Sequence, residues 1–136
     1  MKGQGIIHPQ LLRILAEMGH TDTLVVAAAG LTIPPEVERV DLGLVRGVPG
    51  FVETVEAIAR ELVVEALVMA DEAQEQSPDV VEAVRRLFPG VPLRLVPHLE
   101  LKAMCRSARA VVRTGEFTPY ANVILQSGVG GLFERR

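Results

Sequence analysis

Met18-Gly19-His20-Thr21-Asp22-Thr23-Leu24-Val25-Val26 is the stretch on which the reading of this chain turns. Ahead of it, Leu11, Leu12, Ile14, Leu15 and Met18 recur at helical spacing. Behind it, Leu24 to Ala29 is an unbroken apolar run. The stretch therefore joins an amphipathic helix to a buried strand, the opening of an α/β arrangement. It also sets His20 and Asp22 at the mouth of that strand, where packing asks for neither.

Working outward, the alternation continues. Pro9 suits the first turn of the helix, which runs to about Met18, and Gly19 is expected to end it in a left-handed conformation. The strand stops near Ala29-Gly30. Leu31-Thr32-Ile33-Pro34-Pro35 then leaves its carboxyl end as a loop, because the prolines bring no donors. Val40, Leu42 and Leu44 alternate with Arg39, Asp41 and Gly43 as a short half-exposed strand or extended connection, and Gly47-Val48-Pro49-Gly50 turns.

Phe51, Val52, Val55, Ile58, Ala59 and Leu62 mark a second helix, and Val63 to Ala70 a strand ending in Asp71-Glu72. Ser77-Pro78, with Asp79 and Glu82 behind it, opens a helix that Phe88-Pro89-Gly90 closes. Leu93 to Val96 is a strand and His98 to about Arg106 a helix. Ala110 to Val112 and Val123 to Leu125 are the last strands. This rhythm predicts a single α/β domain over residues 1–136, its largely parallel sheet covered by helices on both faces. Ligands of such sheets sit outside the carboxyl ends of the strands.

Composition narrows the function. The 136 residues are 49% hydrophobic and 23% charged, with no Trp, one Tyr and four Phe, so the core is aliphatic and the single Tyr120 draws notice. A net charge of −3 with mixed signs offers no basic face for phosphates, which sets nucleic acid aside. The lone Cys105 can form no internal disulfide and no thiolate metal cage. With no signal-peptide pattern and no apolar run of ~20 residues, the expectation is a soluble cytoplasmic protein with no membrane partner. A mean hydropathy of +0.29 is high for a small monomer and points to a homo-oligomer that buries apolar surface between copies.

Few polar residues are placed to do chemistry. His8, before Pro9, reads as an exposed cap. His20 either complements the dipole of the helix that ends before it or acts as an acid/base. Asp22 either bonds nearby backbone N–H groups, as in an Asx turn, or orients His20 and fixes its tautomer. His98 follows Pro97 at a strand end, where Ser, Asp or Thr would cap a helix better. Asp71-Glu72 reads as a solvated first-turn pair.

Gly-rich phosphate loops, metal-ligand spacings and a nucleophile elbow are all missing from the sequence, so no metal and no cofactor is expected. Imidazoles, one phenol and an amide remain. That set suits proton transfer on a neutral polyhydroxy ligand.

The run Gly19-His20-Thr21-Asp22-Thr23-Leu24-Val25-Val26, followed by Ala29-Gly30-Leu31 and Ile33-Pro34, resembles the N-terminal signature of the D-ribose pyranase family, siblings of the fucose mutarotases. The resemblance recurs at Val40-Asp41 and at Gly47-Val48-Pro49 with Phe51. It closes on Arg113, Gly115-Glu116 and Pro119-Tyr120-Ala121-Asn122 with Ile124-Leu125, so it spans the chain in order. It implies a cofactor-free isomerase that converts the β-pyranose form of ribose to the β-furanose form used by ribokinase.

The matched His20 would be the catalytic acid/base, and His98, Tyr120, Ala121 and Asn122 the sugar-binding set. The family's α/β domains form a decameric ring in which neighbouring subunits share each site. One position departs from the pattern: the family usually carries a substrate-contacting Asp where this chain has Ala28. The alternatives are a mutarotase acting on fucose or another monosaccharide, and a sugar-binding protein without turnover.

Overall fold

The computed structural model describes residues 1–134. Helix α1 spans Pro9–Glu17, strand β1 Thr23–Ala27, β2 Glu38–Asp41 and α2 Phe51–Ala59. Strand β3 spans Val64–Ala70, followed by α3 (Asp71–Gln76), α4 (Pro78–Leu87) and β4 (Leu93–Val96). Helix α5 is His98–Met104, β5 Ala110–Arg113 and β6 Val123–Ser127. Short 3-10 turns occupy Cys105–Ser107 and Gly130–Phe133.

The six strands form one sheet in the order β2-β5-β1-β6-β3-β4. Strand β6 runs antiparallel to β1 and β3, while the β1–β5, β2–β5 and β3–β4 pairs are parallel, so the largely parallel sheet is as expected. The direction of β6 follows from its connection. A parallel partner needs a crossover of a dozen or so residues, and the segment from Thr114 to Asn122 is too short to carry one. It steps across the carboxyl end of β1 instead, and β6 returns from there.

Alternation along β1 feeds two cores. Leu24 and Val26 face α1, α2 and α4, with Ile14, Phe51, Val55, Ile58, Val81 and Val84. Val25 and Ala27 face the other way, toward Leu31, Ile33, Leu101 and Cys105. Helices therefore lie on both faces. Burial lifts the Cys105 thiol to about 11, which keeps it protonated and unreactive at neutral pH.

Three local expectations change. Gly19 is not left-handed: α1 stops at Glu17, Met18 is already extended, and the positive φ of 72° falls on Thr21. The cause is tertiary, since the Thr21 N–H donates to Ser127 O and the Ser127 N–H to Asp22 O, both at 2.8 Å, tying the turn to the end of β6. Asp71-Glu72 is a first-turn pair as expected, but of a helix of its own, α3, ahead of α4. Ser77 stands at the N-cap of α4 but does not cap it, because its hydroxyl donates to Pro119 O at 2.8 Å. His8 does cap α1, accepting the Leu11 N–H on Nδ1 at 3.2 Å.

Candidate active site

The carboxyl ends of β1, β2, β4 and β5 share one sheet edge with the amino end of β6. A cavity of about 600 Å³ opens there, the size of a small-ligand site. Its walls include Ala28 to Leu31 after β1, Gly43 to Arg46 after β2, His98 after β4, and Gly115 to Tyr120 with Asn122 before β6.

The crossing segment is pinned at each step. Thr114, fully buried, gives both its N–H and its hydroxyl to Ala27 O, at 2.9 and 2.8 Å. Ala29 N–H donates to Glu116 O at 2.8 Å, and Ala28 N–H to the Asn122 side-chain oxygen at 2.8 Å. Gly115 passes so close to the turn after β2 that a Cβ there would lie 2.6 Å from the carbonyl oxygens of Val45 and Val48. Only glycine fits.

Charge in the cavity is largely committed. Glu116 accepts the Phe51 N–H at the start of α2 at 2.9 Å and the Thr118 hydroxyl at 2.7 Å. The Phe51 N–H, then Thr118, hold its carboxyl below the usual range. Arg113 is paired with Asp41 at 2.8 Å, and that guanidinium keeps the Asp41 carboxyl low in turn. Arg46 lies over the Phe117 ring, 4.8 Å from its centroid.

The neutral hydrogen-bonding groups lie between these. His98 and Tyr120 meet edge to face, ring centroids 5.1 Å apart, with Tyr120 held at φ 58°. The His98 backbone N–H is taken by both oxygens of Glu72, at 3.1 and 3.3 Å. Its Nδ1 is buried and has no hydrogen-bond partner among the described residues. An orphaned ring nitrogen beside a cavity is the signature of a binding site more than of a packed core.

The expected site residues therefore fall into two groups. His98, Tyr120 and Asn122 line one cavity. Ala121, also expected to bind substrate, lies fully buried between Tyr120 and Asn122, its N–H turned to Thr118 O. His20 lies elsewhere, ahead of β1. The five residues of that strand, at ~3.3 Å each, put roughly 17 Å of sheet between it and the cavity.

At that opposite edge the imidazole Nε2 meets Glu65, 3.0 Å from Oε2 and 3.1 Å from Oε1. Asp22 does not orient it: its carboxylate accepts the Gly19 N–H at 2.8 Å and lies 3.4 Å from Arg109 Nε, the Asx-type role. Glu65, Glu72 and Glu116 were not singled out from sequence as site residues. For Glu65 a signal existed, since it is the one charge inside β3. Among the described residues no three His, Cys, Asp or Glu side chains gather as a metal site, and no helix is long and apolar enough to cross a membrane.

An α/β domain with a cavity of mostly neutral hydrogen-bonding groups at its carboxyl edge is a small-ligand protein suited to polyhydroxy compounds. Residues 1–130 match the RbsD / FucU transport protein family, and the chain belongs to that family. It is 51% identical over 129 residues to the D-ribose pyranase of Geobacillus kaustophilus (strain HTA426), covering 95% of each chain. The structure of Bacillus subtilis RbsD complexed with D-ribose superposes with a TM-score of 0.91 at 43% identity, covering 95% of this chain and 98% of that one. The fucose mutarotase of Streptococcus pneumoniae in complex with L-fucose gives a TM-score of 0.74 at 25% identity, covering 90% and 94%.

Proposed function

We propose that this protein is a D-ribose pyranase, interconverting the β-pyranose and β-furanose forms of ribose without a cofactor. The observation that carries the reading is the cavity in which His98, Tyr120 and Asn122 converge beside an unpartnered imidazole nitrogen. The relatives support the choice of sugar: the likeness to the ribose-bound protein exceeds that to the fucose mutarotase in both identity and superposition.

The chemistry needs only protons. Opening the pyranose removes a proton from the anomeric hydroxyl, breaks the bond between the anomeric carbon and the ring oxygen, and delivers a proton to that oxygen. Rotation then presents a different hydroxyl to the aldehyde, and closure reverses both transfers. No electrons and no atoms are gained or lost. A positioned general acid/base contributes ~10²–10⁴-fold to such a step.

His20 is that acid/base in our reading, while His98, Tyr120, Ala121 and Asn122 form the sugar-binding set, with His98, Tyr120 and Asn122 holding hydroxyls. One copy of the chain leaves His20 at the wrong edge, so a neighbouring copy supplies it. The surface agrees with this. Leu44, Val45 and Phe117 at the cavity rim are 79, 62 and 57% exposed, apolar area that a second copy would cover. The assembly we propose is the decameric ring. The proposed location is the cytoplasm, where a single buried cysteine is stable.

Saturation-transfer NMR across a panel of sugars tests the activity. Faster pyranose–furanose exchange on ribose is expected. Anomer exchange on fucose alone would replace this reading with a mutarotase, and binding shifts without exchange would replace it with a sugar-binding protein, the outcome to which Ala28 points.

A further inference from the structure

The carboxylate that meets His20 is held with care. Strand β3 pairs with β6 at Val64↔Ser127 and again at Ala66↔Gln126, so the register slips at Glu65 between them. A bulge of this kind re-aims the side chain that it carries. Gln126 Nε2 donates to Glu65 Oε1 at 2.8 Å. Gly128 packs so near that a Cβ there would fall 2.8 Å from Glu65 Cβ and 3.1 Å from Oε2. The Gln126 amide and then the His20 imidazole hold the Glu65 carboxyl below its ordinary range, so it is ionised at neutral pH.

An ionised carboxylate only accepts hydrogen bonds. The imidazole nitrogen facing it must then carry the hydrogen, which leaves the ring's lone pair on the other nitrogen. We propose that Glu65 is a positioning residue that fixes His20 as the Nε2–H tautomer, so that Nδ1 is the atom that exchanges protons with the sugar. This rests on the reading of His20 as the acid/base. Nδ1 takes the proton of the anomeric hydroxyl, and the imidazolium so formed keeps its Nε2–H on Glu65. Nδ1–H then returns the proton to the ring oxygen as its bond to the same carbon breaks.

Glu65→Gln tests the assignment sharply because Gln126 dictates how the new amide lies. The amide oxygen must take the place of Oε1 opposite the Gln126 N–H. Its NH2 group then takes the place of Oε2, the nearer of the two oxygens to Nε2 of His20, and a donor there opposes the Nε2–H and favours hydrogen on Nδ1, the wrong tautomer. Ring exchange on ribose should fall ~100-fold in Glu65→Gln but only ~10-fold in Glu65→Ala, which leaves both tautomers open. Adding Gln126→Ala frees the amide to turn over, and the double variant should recover part of the loss.

Imidazole ¹⁵N shifts of His20, read on the whole protein with no sugar present, should show Nε2–H in the wild type and Nδ1–H in Glu65→Gln. That spectrum judges the tautomer apart from the acid/base role. A purely structural carboxylate would make alanine the worse replacement. Exchange in Glu65→Gln at least as fast as in Glu65→Ala, or an unchanged ¹⁵N spectrum, overturns the proposal.

Discussion

The side-chain oxygen of Asn122 accepts the Ala28 N–H at 2.8 Å, joining the ends of β1 and β6 across 94 residues of chain. The bond explains why an amide stands there. Asn122 is 3% exposed, and its oxygen satisfies a backbone donor that the end of β1 would otherwise leave unpaired. In the proposed site, its NH2 group is the part left to bind the sugar.

Asn122→Ala should therefore lose stability as well as binding. Leaving a part-buried N–H unsatisfied costs ~1–3 kcal/mol. Chemical denaturation should show that loss, and Asn122→Asp, which keeps the acceptor, should recover most of it.

Ala28 stands beside that bond and is one of the residues lining the cavity. Ala28→Asp would add the carboxylate that the resemblance leads one to expect there. A hydrogen bond to a charged acceptor is worth ~1.5–3 kcal/mol, so ribose affinity measured by calorimetry should rise about tenfold or more. Unchanged affinity would show that another group already holds the hydroxyl in question.

How much of this was legible in the chain depends on what each residue answers to. Leu24 to Ala27 announced a strand buried on both faces, because neither face of it meets water. His98, Tyr120 and Asn122 could be placed at strand ends from local pattern and resemblance. The apolar pattern did not carry the reversal of β6, since Val123 to Leu125 is equally apolar in either direction; its signal was the connection from Thr114 to Asn122, too short for a crossover. Ser77 looked like a cap because caps are local, whereas its hydroxyl answers to Pro119 across the fold. Gly19 and Thr21 exchanged roles for the same reason: the bonds to Ser127 are tertiary. Glu65 was the one charge in an apolar strand, and its partner His20 lies 45 residues away.

Gly115→Ala should damage the cavity without touching a ligand group. Its Cβ would meet backbone oxygens of Val45 and Val48, which cannot swing aside like a side-chain end. Overpacking of this kind costs ~1–3 kcal/mol. A lowered Tm together with weakened ribose binding is the expected pair of results.

Glu116→Gln should flatten the acid side of the stability profile. The Glu116 carboxyl is held below its ordinary 4.5, first by the Phe51 N–H and then by Thr118. Its contribution is complete above that ordinary value and is lost as pH falls through the lower folded one. At neutral pH the variant should be less stable by ~1–2 kcal/mol, the scale of a lost helix cap. The gap to the wild type should close in acid. Denaturation midpoints measured from pH 7 to pH 3 will show whether it does.

The central claim is that His20 of one copy serves the His98, Tyr120 and Asn122 cavity of another. Subunit mixing tests it most directly. His20→Ala retains the cavity and His98→Ala retains the acid/base, and each alone should lack ring exchange on ribose by saturation-transfer NMR. Oligomers assembled from both variants together should regain exchange, since some sites then pair an intact cavity with an intact His20. Co-assembled oligomers that remain as inactive as either parent, or a folded His20→Ala variant that exchanges at the wild-type rate, would contradict the account.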